Sequence, residues 1–213
     1  MGDIDVLDLL CAAGVLPVLA IEDLDSVRKV GAALCAGGLA VAEVTLRTRS
    51  AAAAIRALVD AGEMLVGAGT VLRHEQVDLA HEAGARFVVT PGFSAAVVER
   101  CRELEMPVIP GVASATEIIA ALDHGSELLK FFPAEASGGV AMLQAWRAPF
   151  PNVRFVPTGG VSSANAAAYL VLPSVSAVGG SWMVTPELVS SGDFGAISRL
   201  AEQAVQLVAE ARP

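Results

Sequence analysis

Ala40-Val41-Ala42-Glu43-Val44-Thr45-Leu46, then residues 50–61, then Met64-Leu65-Val66-Gly67-Ala68-Gly69-Thr70 follow one another along the chain. The outer two are short, largely apolar runs of the kind that form strands covered on both faces. The middle segment is Ala-rich and amphipathic. It opens on Ser50, a residue type suited to capping a helix, followed by the strong helix formers of residues 51–54. It stops at Gly62, where a helix ends well in a left-handed residue. Strand, covering helix and parallel strand is the unit from which the rest of the fold is read.

The same alternation continues in both directions. Strands are predicted at residues 15–21, 40–46, 64–70, 86–90, 107–111, 128–132, 154–157 and 176–178. Helices are predicted at residues 25–36, 50–61, 74–83, 95–105, 115–124, 140–148, 164–172 and 194–210, with a short one at 3–13 before the first strand. Ser114 and Glu117 have the spacing of a capping box, and Gly84 and Gly125 sit at further helix ends. Eight strands, each followed by a helix at an average repeat of about 25 residues, predict a single α/β domain over residues 1–213. Its expected form is a (β/α)8 TIM barrel with a short N-terminal helix. An open doubly wound sheet is the alternative. That fold typically carries a glycine loop after its first strand, and Ala20-Ile21-Glu22-Asp23 contains no glycine.

Hydrophobic residues make up 54% and aromatics only 5%, a composition for an aliphatic core. No apolar run approaches the roughly 18 residues of a membrane span, so no membrane partner is expected. Met1-Gly2-Asp3-Ile4-Asp5 is acidic where a secretion signal would be basic, which predicts a cytoplasmic location. A net charge of −9 argues against nucleic acid. It leaves room for an anionic small molecule held by local backbone N–H groups and one or two cations. Cys11, Cys35 and Cys101 form no closely spaced pair and read as free buried thiols.

In a barrel of this kind the chemistry gathers at the C-terminal strand ends. The sixth predicted strand reads Leu128-Leu129-Lys130-Phe131-Phe132-Pro133, and Lys130 is one of only two lysines. An ammonium between leucines and phenylalanines must pair with an acid or give up its proton. One reading is a buried ion pair that pins the barrel. The other is an amine whose pKa is lowered by desolvation and neighbouring positive charge, free to attack a carbonyl. Glu43 and Arg47, four apart, share a face if their strand stays regular. Both are then expected to face the cavity of Lys130, as an acid/base and a fixed cation suited to an α-keto acid. The glycine ends Thr158-Gly159-Gly160 and Gly179-Gly180-Ser181 suit a phosphate, or are tight turns and nothing more. His74, His81 and His124 lie on predicted helices rather than strand ends, so no metal site and no cofactor are expected.

Four segments, Glu43-Val44-Thr45-Leu46-Arg47, Gly67-Ala68-Gly69-Thr70, Lys130-Phe131-Phe132-Pro133-Ala134-Glu135 and Pro157-Thr158-Gly159-Gly160, together closely resemble the 2-keto-3-deoxy-6-phosphogluconate (KDPG) aldolase family. That family includes 4-hydroxy-2-oxoglutarate (KHG) aldolase. The resemblance implies a class I aldolase releasing pyruvate, with Lys130 as the Schiff-base lysine and Glu43 as the general acid/base. It implies that Arg47 and Thr70 hold the pyruvate carboxylate and that Pro91 and Phe132 line the pyruvate end. Thr158, Gly159, Gly160, Gly180 and Ser181 then meet the rest of the substrate and its phosphate. It also implies a homotrimer that needs no metal. One departure is the first strand end, Val18-Leu19-Ala20-Ile21, where some relatives place an arginine. The rival functions are a phosphosugar epimerase, a thiamine-phosphate-synthase-like barrel, and a phosphometabolite binder without turnover.

Overall fold

The protein is described by a computed structural model over residues 6–212, so the expected start of the first helix at Asp3 lies outside the described residues. Among the described residues nine short parallel strands are present: β1 Val15–Leu19, β2 Val41–Thr45, β3 Leu65–Gly69, β4 Val88–Val89, β5 Val108–Ile109, β6 Gly111–Val112, β7 Leu128–Phe131, β8 Arg154–Pro157 and β9 Val178–Gly180. They form a curled six-stranded sheet in the order β5-β4-β3-β2-β1-β9 and a three-stranded sheet in the order β6-β7-β8.

The strand expected over residues 107–111 is two strands, because Pro110 interrupts it. Proline has no N–H to give to a ladder. Its carbonyl still accepts from the Lys130 backbone N–H at 2.9 Å, while Thr90 N–H bonds Ile109 O at 3.2 Å. One continuous segment thus pairs first with β4 and then with β7. A second correction concerns the last strand, which lies two residues later than predicted. Pairing of Val15, Leu16 and Pro17 with Val178, Gly179 and Gly180 draws the glycines into the sheet.

Side-chain alternation along the strands sorts two cores. Val15, Ala42, Val44, Val88, Leu129 and Phe155 pack outward against the helices. Leu16, Val41, Phe87, Val89, Ile109, Leu128 and Val156 face the other way and form a second cluster, with Val6 and Leu7 of α1 (Val6–Ala13) packed against it. One step further along that inner face stand Glu43, Lys130 and Thr158, two residues beyond Val41, Leu128 and Val156 respectively. An apolar plug therefore fills one end of the inner space and polar residues occupy the other.

The covering helices are α2 Leu24–Ala36, α3 Ala51–Ala61, α4 His74–Glu82, α5 Ala95–Glu103, α6 Ala115–Asp123, α7 Gly139–Trp146, α8 Ala166–Leu170 and α10 Phe194–Ala211. One more, α9 Pro186–Ser191, was not expected, although Thr185 as cap, Pro186 in the first turn and Gly192 at the end form a complete set of boundary signals. Six residues are too few to show a hydrophobic period. Ser50 does not cap α3 through its side chain; its hydroxyl donates to Glu22 O at 2.8 Å. Ser114 does cap α6, and Glu117 completes the motif on the Ala113 N–H at 2.8 Å rather than on that of Ser114. Gly62, Gly84 and Gly125 all take positive φ, as expected.

Candidate active site

Lys130 and Glu43 meet across the inner space although 87 residues separate them. Lys130 Nζ donates to Glu43 Oε1 at 3.1 Å and to Oε2 at 3.4 Å. The residues are 4% and 0% exposed. Lys130 belongs to the three-stranded sheet and Glu43 to the six-stranded one, so this contact joins the two. Gly69, on the neighbouring strand, makes room for it: a Cβ there would collide with the Glu43 carboxylate. The Phe132 ring lies 5.3 Å from Nζ and supplies a π face to the cation. A pair this dry is a poor device for stability alone, because two desolvation costs offset its Coulomb attraction. It is well suited to moving one proton between the amine and the carboxylate.

Arg47 is placed differently from the expectation. Strand β2 ends at Thr45, so Arg47 lies beyond the regular strand and is exposed. Its Nε donates to Thr45 Oγ1 at 3.1 Å, and Thr45 in turn donates to Leu19 O at 2.9 Å. Arg47 lines a cavity of about 660 Å³ together with Ser181, Val18, Val161, Trp182 and Val189. Neither Lys130 nor Glu43 is on that lining. Arg47 thus stands at the open mouth, and the Lys130–Glu43 pair is buried.

Thr70 follows β3 with φ of 55°. A β-branched residue in the left-handed region is an outlier costing about 1–3 kcal/mol, the kind of strain kept where function fixes a side chain. Pro91 sits in the turn after β4, held down by Thr90, whose hydroxyl donates to Gly92 O at 2.7 Å and accepts from the Gly111 N–H at 3.0 Å. Gly111 is the register partner of Lys130, so this turn lies beside the amine's own strand.

Thr158 is 7% exposed and bridges to Gly179 at the seam between β8 and β9. Gly159 and Gly160 follow with φ of 98° and 80°. Glu135 presses against Gly160, where a Cβ would come within 2.6 Å of its Cγ, and its N–H bonds Gly159 O at 3.1 Å. The Tyr169 hydroxyl donates to Glu135 Oε1. Gly180 lies under the Trp182 ring, and Ser181 is exposed on the cavity.

Sequence reading missed Thr45, Thr90, Glu135 and Tyr169. Thr45 and Glu135 lie in the segments that carry the resemblance, and Thr45 had a second signal, since Glu43, Thr45 and Arg47 are successive alternate positions. The thiols also need correction: Cys101 is buried, whereas Cys11 and Cys35 are only half-buried. Burial pushes the Cys101 thiol up to about 12. At the cavity rim, Asp23 is held below the usual carboxylate range, chiefly by the backbone N–H of Asp25. Among the described residues, no group of three or more His, Cys, Asp or Glu gathers as a metal site, and no helix is long and apolar enough to cross a membrane.

The model of the KDPG and KHG aldolase family matches residues 6–200. The chain is 46% identical to the 2-dehydro-3-deoxy-phosphogluconate aldolase of Treponema pallidum over 206 residues, covering 96% of this chain and 98% of that one. It is 44% identical over 199 residues to the KHG/KDPG aldolase of Escherichia coli strain K12, covering 93% of each. The solved KDPG aldolase of Legionella pneumophila, with pyruvate captured as a covalent carbinolamine, superposes with a TM-score of 0.91 at 40% identity, covering 94% of this chain and 98% of that one. Matches of this extent and identity leave no part of the site outside the shared region, and the chain belongs to the KDPG and KHG aldolase family.

Proposed function

We propose that this chain is a class I aldolase that reversibly cleaves KDPG to pyruvate and glyceraldehyde 3-phosphate, and KHG to pyruvate and glyoxylate. The single observation that carries the reading is the buried 3.1 Å contact between Lys130 Nζ and Glu43. Transfer of one proton along it leaves a neutral amine beside a carboxylic acid. The amine attacks the C2 ketone, and protonation of the carbinolamine oxygen, with loss of water, gives a protonated imine. That cation is an electron sink. Glu43, again a carboxylate, takes the C4 hydroxyl proton, the C3–C4 bond breaks and the aldehyde departs. The enamine on Lys130 is protonated at C3 and hydrolysed to pyruvate, which returns the free amine.

The remaining roles are carried over from the family. Arg47 and Thr70 hold the carboxylate, and Pro91 and Phe132 line the pyruvate end. Thr158, Gly159, Gly160, Gly180 and Ser181 take the distal part and its phosphate, supported by the close backbone approach at residues 159–160. The two sheets complete one eight-stranded (β/α)8 barrel over a single domain. Continuity through Pro110 on one side and the Thr158–Gly179 bridge on the other support that closure. A homotrimer in the cytoplasm is part of the same reading, with sedimentation velocity as its check. The contact with Glu43 also favours aldol chemistry over an epimerase or a passive binder, neither of which needs an amine in that place.

Borohydride reduction with pyruvate, followed by intact-mass measurement, tests the proposal. One stable adduct is expected in the parent protein and none in Lys130→Met. No adduct at saturating pyruvate would falsify it, and an adduct persisting in Lys130→Met would move the chemistry to another amine.

A further inference from the structure

Backbone pairing between β1 and β2 reaches its last register pair at Leu19 and Val44. Past that point three side-chain hydroxyls of the second segment take over, each donating to a carbonyl of the first. Thr45 bonds Leu19 O at 2.9 Å, Thr48 bonds Ile21 O at 2.7 Å, and Ser50 bonds Glu22 O at 2.8 Å. Only the first of these also touches a charged group, through Arg47 Nε at 3.1 Å.

We infer that Thr45 is a positioning residue that aims the Arg47 guanidinium at the carboxylate of an α-keto acid. A hydroxyl has one proton, and Thr45 gives it to Leu19 O, so only a lone pair faces Arg47. Thr45 is 2% exposed, and its place is fixed from behind by β1. A guanidinium is planar, so holding Nε orients the whole plane and leaves the Nη groups for the ligand. An exposed arginine beyond its strand would otherwise sample many rotamers, and ordering it would weaken binding. This inference rests on the reading of Arg47 as a carboxylate holder and adds the group that orients it.

The test measures trapped adduct as a function of pyruvate concentration under borohydride. Thr45→Val, which keeps the shape and removes the acceptor, should raise the half-saturating concentration about tenfold with an unchanged plateau. Thr45→Ser should restore the parent value. In an Arg47→Met background Thr45→Val should add nothing, and Thr48→Val, which cuts the neighbouring rung, should behave as the parent. Arg47→Lys keeps the charge but has no Nε to hold, so it should reproduce the rise with Thr45 intact, whatever the fold of the Thr45 variants. Multiplying effects of the Thr45 and Arg47 substitutions overturn the proposal. So does an equal rise in Thr48→Val, a parent-like Thr45→Val, or a parent-like Arg47→Lys. Unchanged half-saturation in Arg47→Met instead overturns the carboxylate role of Arg47 itself, a distinct failure that takes this inference with it.

Discussion

Lys130 and Glu43 stand on regular strands with 4% and 0% exposure, whereas Arg47 and Ser181 stand on loops and face an open cavity. The first region is held by two sheets and an apolar plug beneath it. The second is held by hydroxyls, glycines and a six-residue helix. The buried pair can exchange a proton without competition from water, and it is costly to disturb. The mouth is open enough to adapt to a ligand, and substitutions there should leave the fold intact. The proposed chemistry therefore rests on a part of the molecule with firmer mechanical support than the mouth.

Substitution at the pair should show this division most strongly. Lys130→Met is expected to abolish turnover and to cost about 3–5 kcal/mol, because it strands a buried carboxylate. The double variant Lys130→Met/Glu43→Leu should recover most of that loss while staying inactive. Chemical denaturation of the two variants decides the matter: a double variant no more stable than the single one would mean that the pair is a structural pin after all.

Glu43→Gln should lower kcat by about 10²–10⁴-fold with little change in circular dichroism. Parent-like kinetics would remove the carboxyl from the mechanism.

Thr70 sharpens the comparison from the other side, since the fold holds its backbone in a strained conformation where the proposal puts a carboxylate contact. Thr70→Gly relieves a φ of 55°, so its Tm should hold or rise while the KM for pyruvate in the condensation direction increases. A falling Tm would show that the strain is not there.

The smallest effect concerns neither region. Cys101, pushed up to about 12 by burial, should resist maleimide at pH 8 until the protein unfolds, when mass spectrometry should find it labelled. A thiol raised above its usual 9.0 keeps its contribution to stability below that pH and loses it as the pH climbs toward 12.

Much of this was legible in the sequence, and the reasons are local. The β-branched runs between glycines placed most strands within two residues, because strands buried on both faces have few alternatives for such residues. Lys130 was conspicuous, since an amine in an apolar strand needs a partner; which acid it meets depends on how two distant strands face each other. The failures came from tertiary choices. Ser50 gave its hydroxyl to a carbonyl 28 residues away instead of to its own helix. Arg47 lies past the regular strand because β2 stops at Thr45. Residues 178–180 became strand since β1 needed a neighbour, and no propensity of glycine would suggest that.

If Lys130 and Glu43 relay a proton as proposed, placing them on opposite sides of a seam has a kinetic consequence. Neither half of the sheet system can turn over substrate until the other has docked, so recovery of enzymatic activity during refolding clocks the meeting of the halves. A far-ultraviolet signal, by contrast, reports helix content rather than that contact.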